Sequence, residues 1–315
     1  MVKVSVIMSV YKEPIEWLRE SVNSILTQTF TEFEFIIIID NPDYHDALSF
    51  LQTLEKEDNR IKLLLNPENI GLTKSLNIGL RAAMGKYIAR MDSDDISYPE
   101  RFKKQFDFME KNLDIVACGT GIRRFGKQEK TSLFQCNPEE ISIKFTCPNP
   151  FLSPIAHPTA FIRNEVLHAN NIMYNEDYNT AQDYGLWSEL IFVGKISNLN
   201  EVLLDYRTSN QQITATKRKN QLLVVNNIIN EHILRWSKKQ NIDLSSPVIL
   251  SQLLSLRTKS FERSQRRTLL AFEYGLLLQS RYSWIDSLRY FFTYKNEEIS
   301  LREKARIVVK KFLGL

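Results

Sequence analysis

Cysteine is scarce in this chain: three among 315 residues, Cys118, Cys136 and Cys147. Their odd number and lack of metal-type spacing exclude a disulfide framework and leave reduced thiols as the expectation. Glycine and proline, ten of each, are too few for a collagenous or low-complexity chain. Long apolar runs are missing as well. FIIIID (35–40) and VILSQLLSL (248–256) fall far short of the about 18 residues that a membrane-spanning helix needs. The strand-like VKVSVIMSVY begins almost at once, without a basic-then-apolar leader, so cytoplasmic placement is expected. No G-x-G-x-x-G follows that first apolar run, which argues against a Rossmann dehydrogenase, and no aromatic-basic RNA signature appears, so no nucleic-acid partner is expected.

What charge there is lies unevenly. The whole chain holds 41 Lys+Arg and 37 Asp+Glu, net +4. Residues 216–315 hold 19 basic and 8 acidic residues, a balance of +11, whereas 1–215 hold 22 and 29, a balance of −7. Two parts are expected: an acidic body over 1–215 and a basic region over 216–315 that faces an anionic surface.

The body alternates strand and helix patterns. VKVSVIMSV is an apolar β run, and Pro14 opens a helix whose stripe is Trp17, Leu18, Ser21, Val22, Ile25 and Leu26. FIIIID is uniformly apolar, as in a parallel sheet covered on both faces. A helix through Ala47, Leu48, Leu51 and Leu54 follows, then strand IKLLLN. Gly71 punctuates before a helix carrying Leu72, Leu76, Leu80 and Ala83, which Gly85 is expected to close. KYIARM is a fourth strand, Phe102, Phe106 and Met109 mark a helix, and DIVACG is a fifth strand. This alternation predicts an α/β fold, a doubly wound, mostly parallel sheet. Loops and short strands are expected from 120 to 215, and a helical region after Thr216.

In open α/β sheets, ligands sit beyond the carboxyl ends of the strands. Polar features fall at four such ends: Ser9 to Glu13, Asp40, Asn66 to Lys74, and the Asp92, Ser93, Asp94, Asp95 run. Each taken singly also reads as a helix cap or a turn. Three carboxylates within four residues repel one another unless a cation or donors offset the charge. Asp92 and Asp94, two apart, project to one side of an extended segment and suit Mg²⁺ or Mn²⁺.

Taken together, VSVIMSVYKEP, the strand ending in Asp40, NIGLTKSLNIGLRAAMGKYIARMDSDD and AQDYGLW resemble the family 2 inverting glycosyltransferases of the GT-A, Rossmann-like fold, over roughly residues 1–210. The resemblance implies sugar transfer from a nucleotide diphosphate donor to an acceptor hydroxyl, with inversion, in the manner of bacterial surface-polysaccharide enzymes. It implies that the Ser9, Val10 and Tyr11 backbone, Glu13 and Asp40 hold the nucleoside. Asn69 and Lys74 would lie beside base or phosphate, Asp92 with Ser93 near the ribose, and Asp94 on the metal. Asp183 stands where the family carries its catalytic base; the competing reading is a carboxylate favoured by a helix N-terminus. His157, in SPIAHPTAFIR, is placed on the acceptor side or is structural. Trp187 either stacks on a sugar or belongs to the core.

Two departures from the family's pattern stand out. Relatives often carry Tyr-Arg-x-His; here Tyr206, Arg207, Thr208 and Ser209 offer no imidazole. Lys217 to Lys219 either neutralise diphosphate or form a solvated run. HILRW, His232 to Trp236, is read as a chance likeness to the processive synthases' Gln-x-x-Arg-Trp, so a non-processive enzyme is expected. The alternatives are a sugar-nucleotidyl transferase, which SVYKEP does not favour because it lacks a Gly-rich phosphate loop, and a non-catalytic sugar-nucleotide-binding protein. The expectation is transfer of a hexosyl or N-acetylhexosaminyl group, from a UDP-sugar by preference, to a glycan or a lipid-linked saccharide.

Near the C-terminus, Leu301, Ala305, Val308, Val309 and Phe312 recur at helical spacing among Arg302, Arg306, Lys310 and Lys311. Such a stripe either packs on the acidic body or lies in an anionic membrane surface, where each basic residue contributes about 1 kcal/mol. The membrane reading predicts that the full chain co-sediments with anionic liposomes at low salt and that a chain ending near Tyr282 does so less. If both stay in the supernatant, that reading fails.

Overall fold

The computed structural model describes residues 2–145, 153–178 and 180–209, with scattered positions between 221 and 238. The chain divides into two compact units, Met1–Ser142 with Phe151–Val225, and Ile143–Pro150 with Asn226–Leu315. Cys147, the basic run at Lys217 to Lys219 and the stripe from Leu301 to Phe312 lie outside the described residues, as does nearly all of the expected helical region. Among the described residues, no helix is long and apolar enough to cross a membrane.

In chain order the elements are β1 (Val4–Val10), α1 (Ile15–Leu26), β2 (Phe33–Ile39), α2 (His45–Glu57), β3 (Ile61–Leu65), α3 (Leu72–Ala82), β4 (Tyr87–Asp92), β5 (Ile96–Ser97), α4 (Arg101–Lys111), β6 (Ile115–Gly126), β7 (Lys130–Ser132), α5 (Pro138–Phe145), a 3₁₀ turn (His157–Thr159), β8 (Phe161–Arg163), α6 (Asn164–Ala169), α7 (Gln182–Val193) and β9 (Lys195–Thr208). The sheet runs β3-β2-β1-β4-β8-β6-β9-β5, with β7 beside β6. β1 to β4 are mutually parallel, β6 pairs β9 in parallel, and β8, β5 and β7 run antiparallel to their neighbours. This is a mixed, mostly parallel α/β sheet, as the alternating pattern predicts.

The apolar runs explain the order. Every residue of β2 is buried, and β1 is buried at all but one position, which requires cover on both faces. α1 supplies Leu18, Val22 and Ile25 to that cover, and α2 supplies Ala47 and Leu51. Parallel strands then leave their carboxyl ends on one edge, where Ser9 of β1 lies opposite Asp92 of β4.

The structure departs from the sequence reading in three places. α3 ends at Ala82 with Ala83 as its cap, so Gly85 does not close it. Gly85 serves close approach instead: an added Cβ would meet the Ser5 backbone nitrogen at 2.5 Å. The two-residue β5 was not foreseen, because Ile96–Ser97 is too short to show a pattern. The stretch from 195 to 208 is one long strand, β9; register shifts along its pairing with β6 break the alternation that would have marked it.

α4 buries more than its apolar stripe. Arg101 and Gln105 are also inside, where Arg101 Nη1 donates to the Pro158 carbonyl (2.6 Å) and Gln105 Nε2 to that of Thr159 (2.8 Å). With the Thr120 N–H on Thr159 Oγ1 (3.1 Å), these bonds fix the 3₁₀ turn against the sheet. Backbone atoms cannot yield to an added methyl as a flexible side chain can. Gly85→Ala is therefore expected to lower stability by about 2 kcal/mol, read as a shift in the urea midpoint at unchanged slope.

Candidate functional site

The turn after β1 folds on itself. The Tyr11 N–H donates to Glu13 Oε2 (3.0 Å), and Tyr44 Oη donates to the Glu13 carbonyl (2.6 Å). Val10 is fully buried, and its carbonyl accepts the Asp40 N–H (2.8 Å); Tyr11 is exposed.

Asp40, just past β2, is buried, and the described partners use both of its oxygens. Oδ1 accepts from Asn66 Nδ2 (2.8 Å) and the Ile70 N–H (3.0 Å), and Oδ2 accepts from the Gly71 N–H (2.9 Å). Asn69 Oδ1 shares that Gly71 N–H at 3.1 Å. Gly71 has φ +89°, a value that L residues rarely adopt, and it starts α3. Asp40 thus organises the loop that precedes α3. Lys74, one turn into α3, is exposed, and no described contact ties it or Asn69 to the aspartates after β4.

Those aspartates crowd together. One ligand atom from each of Asp92, Asp94 and Asp95 lies within 4.8 Å of the others. Ser93 between them is buried. Burial, then repulsion from Asp92 and Glu13, pushes the Asp94 carboxyl up to about 7. Asp95 is 0% exposed, and burial with repulsion from Asp92 and Asp94 raises it well above the carboxylate range. Its Oδ1 accepts the Arg207 N–H (2.8 Å), whereas its buried Oδ2 has no partner among the described residues. Arg207 also donates from Nε to the Asp94 carbonyl (2.7 Å), pairs with Glu20, and stacks on Trp17 and Phe125. An all-oxygen, mutually repelling donor set with an unsatisfied buried oxygen fits a hard divalent cation.

Arg90 lies beneath this loop. It sits two residues before Asp92, hence on the same side of β4, and pairs through Nη2 with Asp92 Oδ1 while only 4% exposed. Its charge opposes the burial that raises Asp183, Asp94 and Asp95, and it joins burial in holding His157 well below the usual imidazole range.

Asp183 is the second residue of α7, whose N-cap Ala181, at φ 66°, turns the chain into the helix. Burial raises its carboxyl; the Tyr184 N–H and the Arg90 charge oppose the rise. One turn on, Trp187 is 0% exposed and meets the His157 ring edge-on at 6.2 Å. It is core, and presents no face on which a sugar could stack. His157 Nε2 and Tyr174 Oη are 2.8 Å apart, and Asn77 of α3 holds the Tyr174 backbone at both its N–H (3.0 Å) and its carbonyl (2.9 Å).

The structure therefore brings Asp92, Asp94, Asp95, Asp183 and His157 within electrostatic reach of Arg90, sets Asp40 in a supporting loop, and leaves Asn69 and Lys74 exposed. Sequence reading missed Arg90, Asn77, Tyr174 and the bracing role of Arg207. Only Arg90 carried a signal, its i, i+2 spacing to Asp92.

Residues 5–169 match Glycosyl transferase family 2. An uncharacterized glycosyltransferase of Haemophilus influenzae is 32% identical over 98% of this chain and 96% of its own length. The O-antigen biosynthesis glycosyltransferase WbnJ of Escherichia coli is 34% identical over 66% of this chain and 80% of its own. Among solved structures, S. aureus TarS 1–349 in complex with UDP-GlcNAc aligns with a TM-score of 0.61 at 19% identity, covering 98% of this chain and 81% of that one. The mannosyltransferase PcManGT from Pyrobaculum calidifontis, in complex with GDP-Man and Mn²⁺, aligns at 0.55 and 15% identity, over 99% and 87%. The fold is GT-A, the Rossmann-like architecture of these glycosyltransferases.

The Asp94 carboxyl, ordinarily near 3.8 and here about 7, gives stability a pH dependence. Its contribution is fully present below about pH 4, where it is neutral in both states, and is lost as pH rises towards 7, because the unfolded chain ionises it freely and the folded one does not. In chelator at pH 8, Asp94→Asn should melt roughly 2–4 °C above the parent, and the gap should close by pH 4. Equal melting at pH 8 would mean that the loop bears no such repulsion.

Proposed function

As a member of glycosyltransferase family 2 the chain is a glycosyltransferase, and from that premise we propose that it moves a hexosyl or N-acetylhexosaminyl group from a nucleotide diphosphate sugar, preferably a UDP-sugar, to an acceptor hydroxyl with inversion, non-processively. The observation that carries this is one edge holding two separate acids: a repelling aspartate cluster, and a partly buried Asp183 of raised basicity. A relative named for O-antigen biosynthesis and a structural neighbour bound to UDP-GlcNAc support surface polysaccharide or lipid-linked oligosaccharide assembly as the setting. The sugar-nucleotidyl transferase alternative gives way to the family match; a non-catalytic binder is separated from an enzyme by the transfer assay below. A body over 1–215 and a basic region over 216–315 that rests on the inner face of the membrane remain part of this reading, supported by the charge asymmetry.

The residues divide the work. The Ser9–Tyr11 backbone, Glu13 and the loop organised by Asp40 take the nucleoside, with Asn69 and Lys74 at the rim beside base or phosphate. Asp92 and Ser93 approach the ribose. Asp94, beside Asp95, would hold Mn²⁺ or Mg²⁺, which supplies positive charge to the departing diphosphate. Asp183 takes the proton of the acceptor hydroxyl as its oxygen attacks, and a raised carboxyl is the better base for that task. The Tyr184 N–H and the Arg90 charge oppose the rise. His157 and Tyr174 back this side, where the acceptor would enter.

Asp183→Asn should keep UDP affinity within about threefold and lose transfer by about 10²-fold or more; near-normal turnover in a folded variant would place the base elsewhere. Activity of the parent should fall on the acid side at a pH above the ordinary carboxylate range, since a raised acid holds its proton longer. Asp94→Ala should abolish Mn²⁺-dependent UDP binding by calorimetry with the melt intact, and unchanged affinity would rule out its metal role.

A further inference from the structure

Three carboxylates gather after β4, yet one is already spoken for. The Asp92 Oδ1 atom is paired with Arg90 Nη2. Arg90 cannot turn to water. It is 4% exposed; its N–H donates to the Ala160 carbonyl (2.9 Å), and its own carbonyl accepts from Arg101 Nη2 (3.1 Å). The Nε and Nη1 atoms are buried with no partner among the described residues, so Asp92 is the one anion paired with this guanidinium there. Drawing Asp92 Oδ1 onto a cation would leave a buried, unpaired charge, a strongly unfavourable change. Asp94 has no such commitment through its carboxylate, and the buried Asp95 Oδ2 is unpartnered.

We propose that Arg90 is a positioning residue that reserves Asp92: it withholds this carboxylate from the divalent cation and keeps it turned to the donor, so that the diphosphate, not a third protein acid, completes the cation site. The inference rests on the reading that a nucleotide diphosphate and a divalent cation meet at the Asp92–Asp95 loop. Two consequences follow from charge and linkage. The cation alone binds weakly, since one acid is occupied and the Arg90 charge repels it. Cation and nucleotide each raise the affinity of the other by the same factor.

Calorimetry of Mn²⁺, with and without UDP, tests this on the full chain. For the parent, Mn²⁺ alone should bind at least roughly tenfold more weakly than Mn²⁺ with UDP present. Arg90→Gln frees Asp92 and removes the repelling charge. Mn²⁺ alone should then bind roughly tenfold tighter, about 1.4 kcal/mol, and the gain from UDP should shrink; a merely structural role would weaken both. Arg90→Lys retains the charge and should stay within about threefold of the parent. Should Arg90→Gln fail to fold, the paired variant Arg90→Met with Asp92→Asn decides. It removes the ion pair without changing net charge, a replacement that buried pairs often tolerate. If Asp92 is not a cation ligand, the paired variant binds Mn²⁺ alone within about threefold of the parent. A loss of tenfold or more makes Asp92 a ligand and overturns the inference, as does a folded Arg90→Gln chain whose Mn²⁺ affinity is unchanged or weaker. If the parent binds no Mn²⁺ even with UDP, the metal reading itself fails and this inference falls with it; the other adverse results sink the inference alone.

Discussion

Like charge is packed more tightly at the end of β4 than an unsupported loop would bear, and the edge is arranged around that repulsion. Asp92 is held by Arg90 from the strand below. Asp95 is held by the Arg207 N–H from the end of β9. Asp94, which neither arginine bonds through its carboxylate, has that carboxyl raised to about 7 by burial and by its acidic neighbours. Arg207 is itself fixed between Trp17 and Phe125, so α1 and β6 both bear on the acidic loop. The arrangement leaves one negative region whose shape is set from three sides.

Asp40 shows a different use of the same side chain. Its oxygens face the N–H groups of Ile70 and Gly71 and the Asn66 amide, so the carboxylate is satisfied within the fold. It fixes where α3 starts and how the loop before it lies. Any hold on a nucleoside therefore passes through the surface that Asp40 builds.

The strands and the acidic loop were legible because their signals are local. β1 to β4 are apolar runs of ordinary length, and DSDD announces itself through unlike numbers of acids and bases in a short window. Other features depend on partners distant in sequence. β8 is three residues long and is defined by pairing with β4 and β6. Trp187 at helical spacing fits a sugar platform or a core equally well, and its fate is decided by His157 arriving from a separate turn. Arg207 sits in a string notable on sequence grounds only for the histidine it lacks, yet its stacking and hydrogen bonds brace the loop. Arg101 and Gln105 lie outside the set Phe102, Phe106 and Met109 that marks α4 in the sequence, yet both are buried, and the 157–159 turn offers carbonyls to them.

The inverted strand β8 separates the two halves of the edge in a way that bears on evolution. The Asp40 loop and the aspartates at the end of β4 lie before residue 96 in one continuous parallel block, whereas His157 comes just before the antiparallel β8 and Tyr174 and Asp183 come after it. Drift or insertion between 120 and 180 can thus alter the surroundings of His157 and Tyr174 while the block before residue 96 stays in register. On the proposed division of donor and acceptor sides, a lineage built this way acquires new acceptors by changing loops alone.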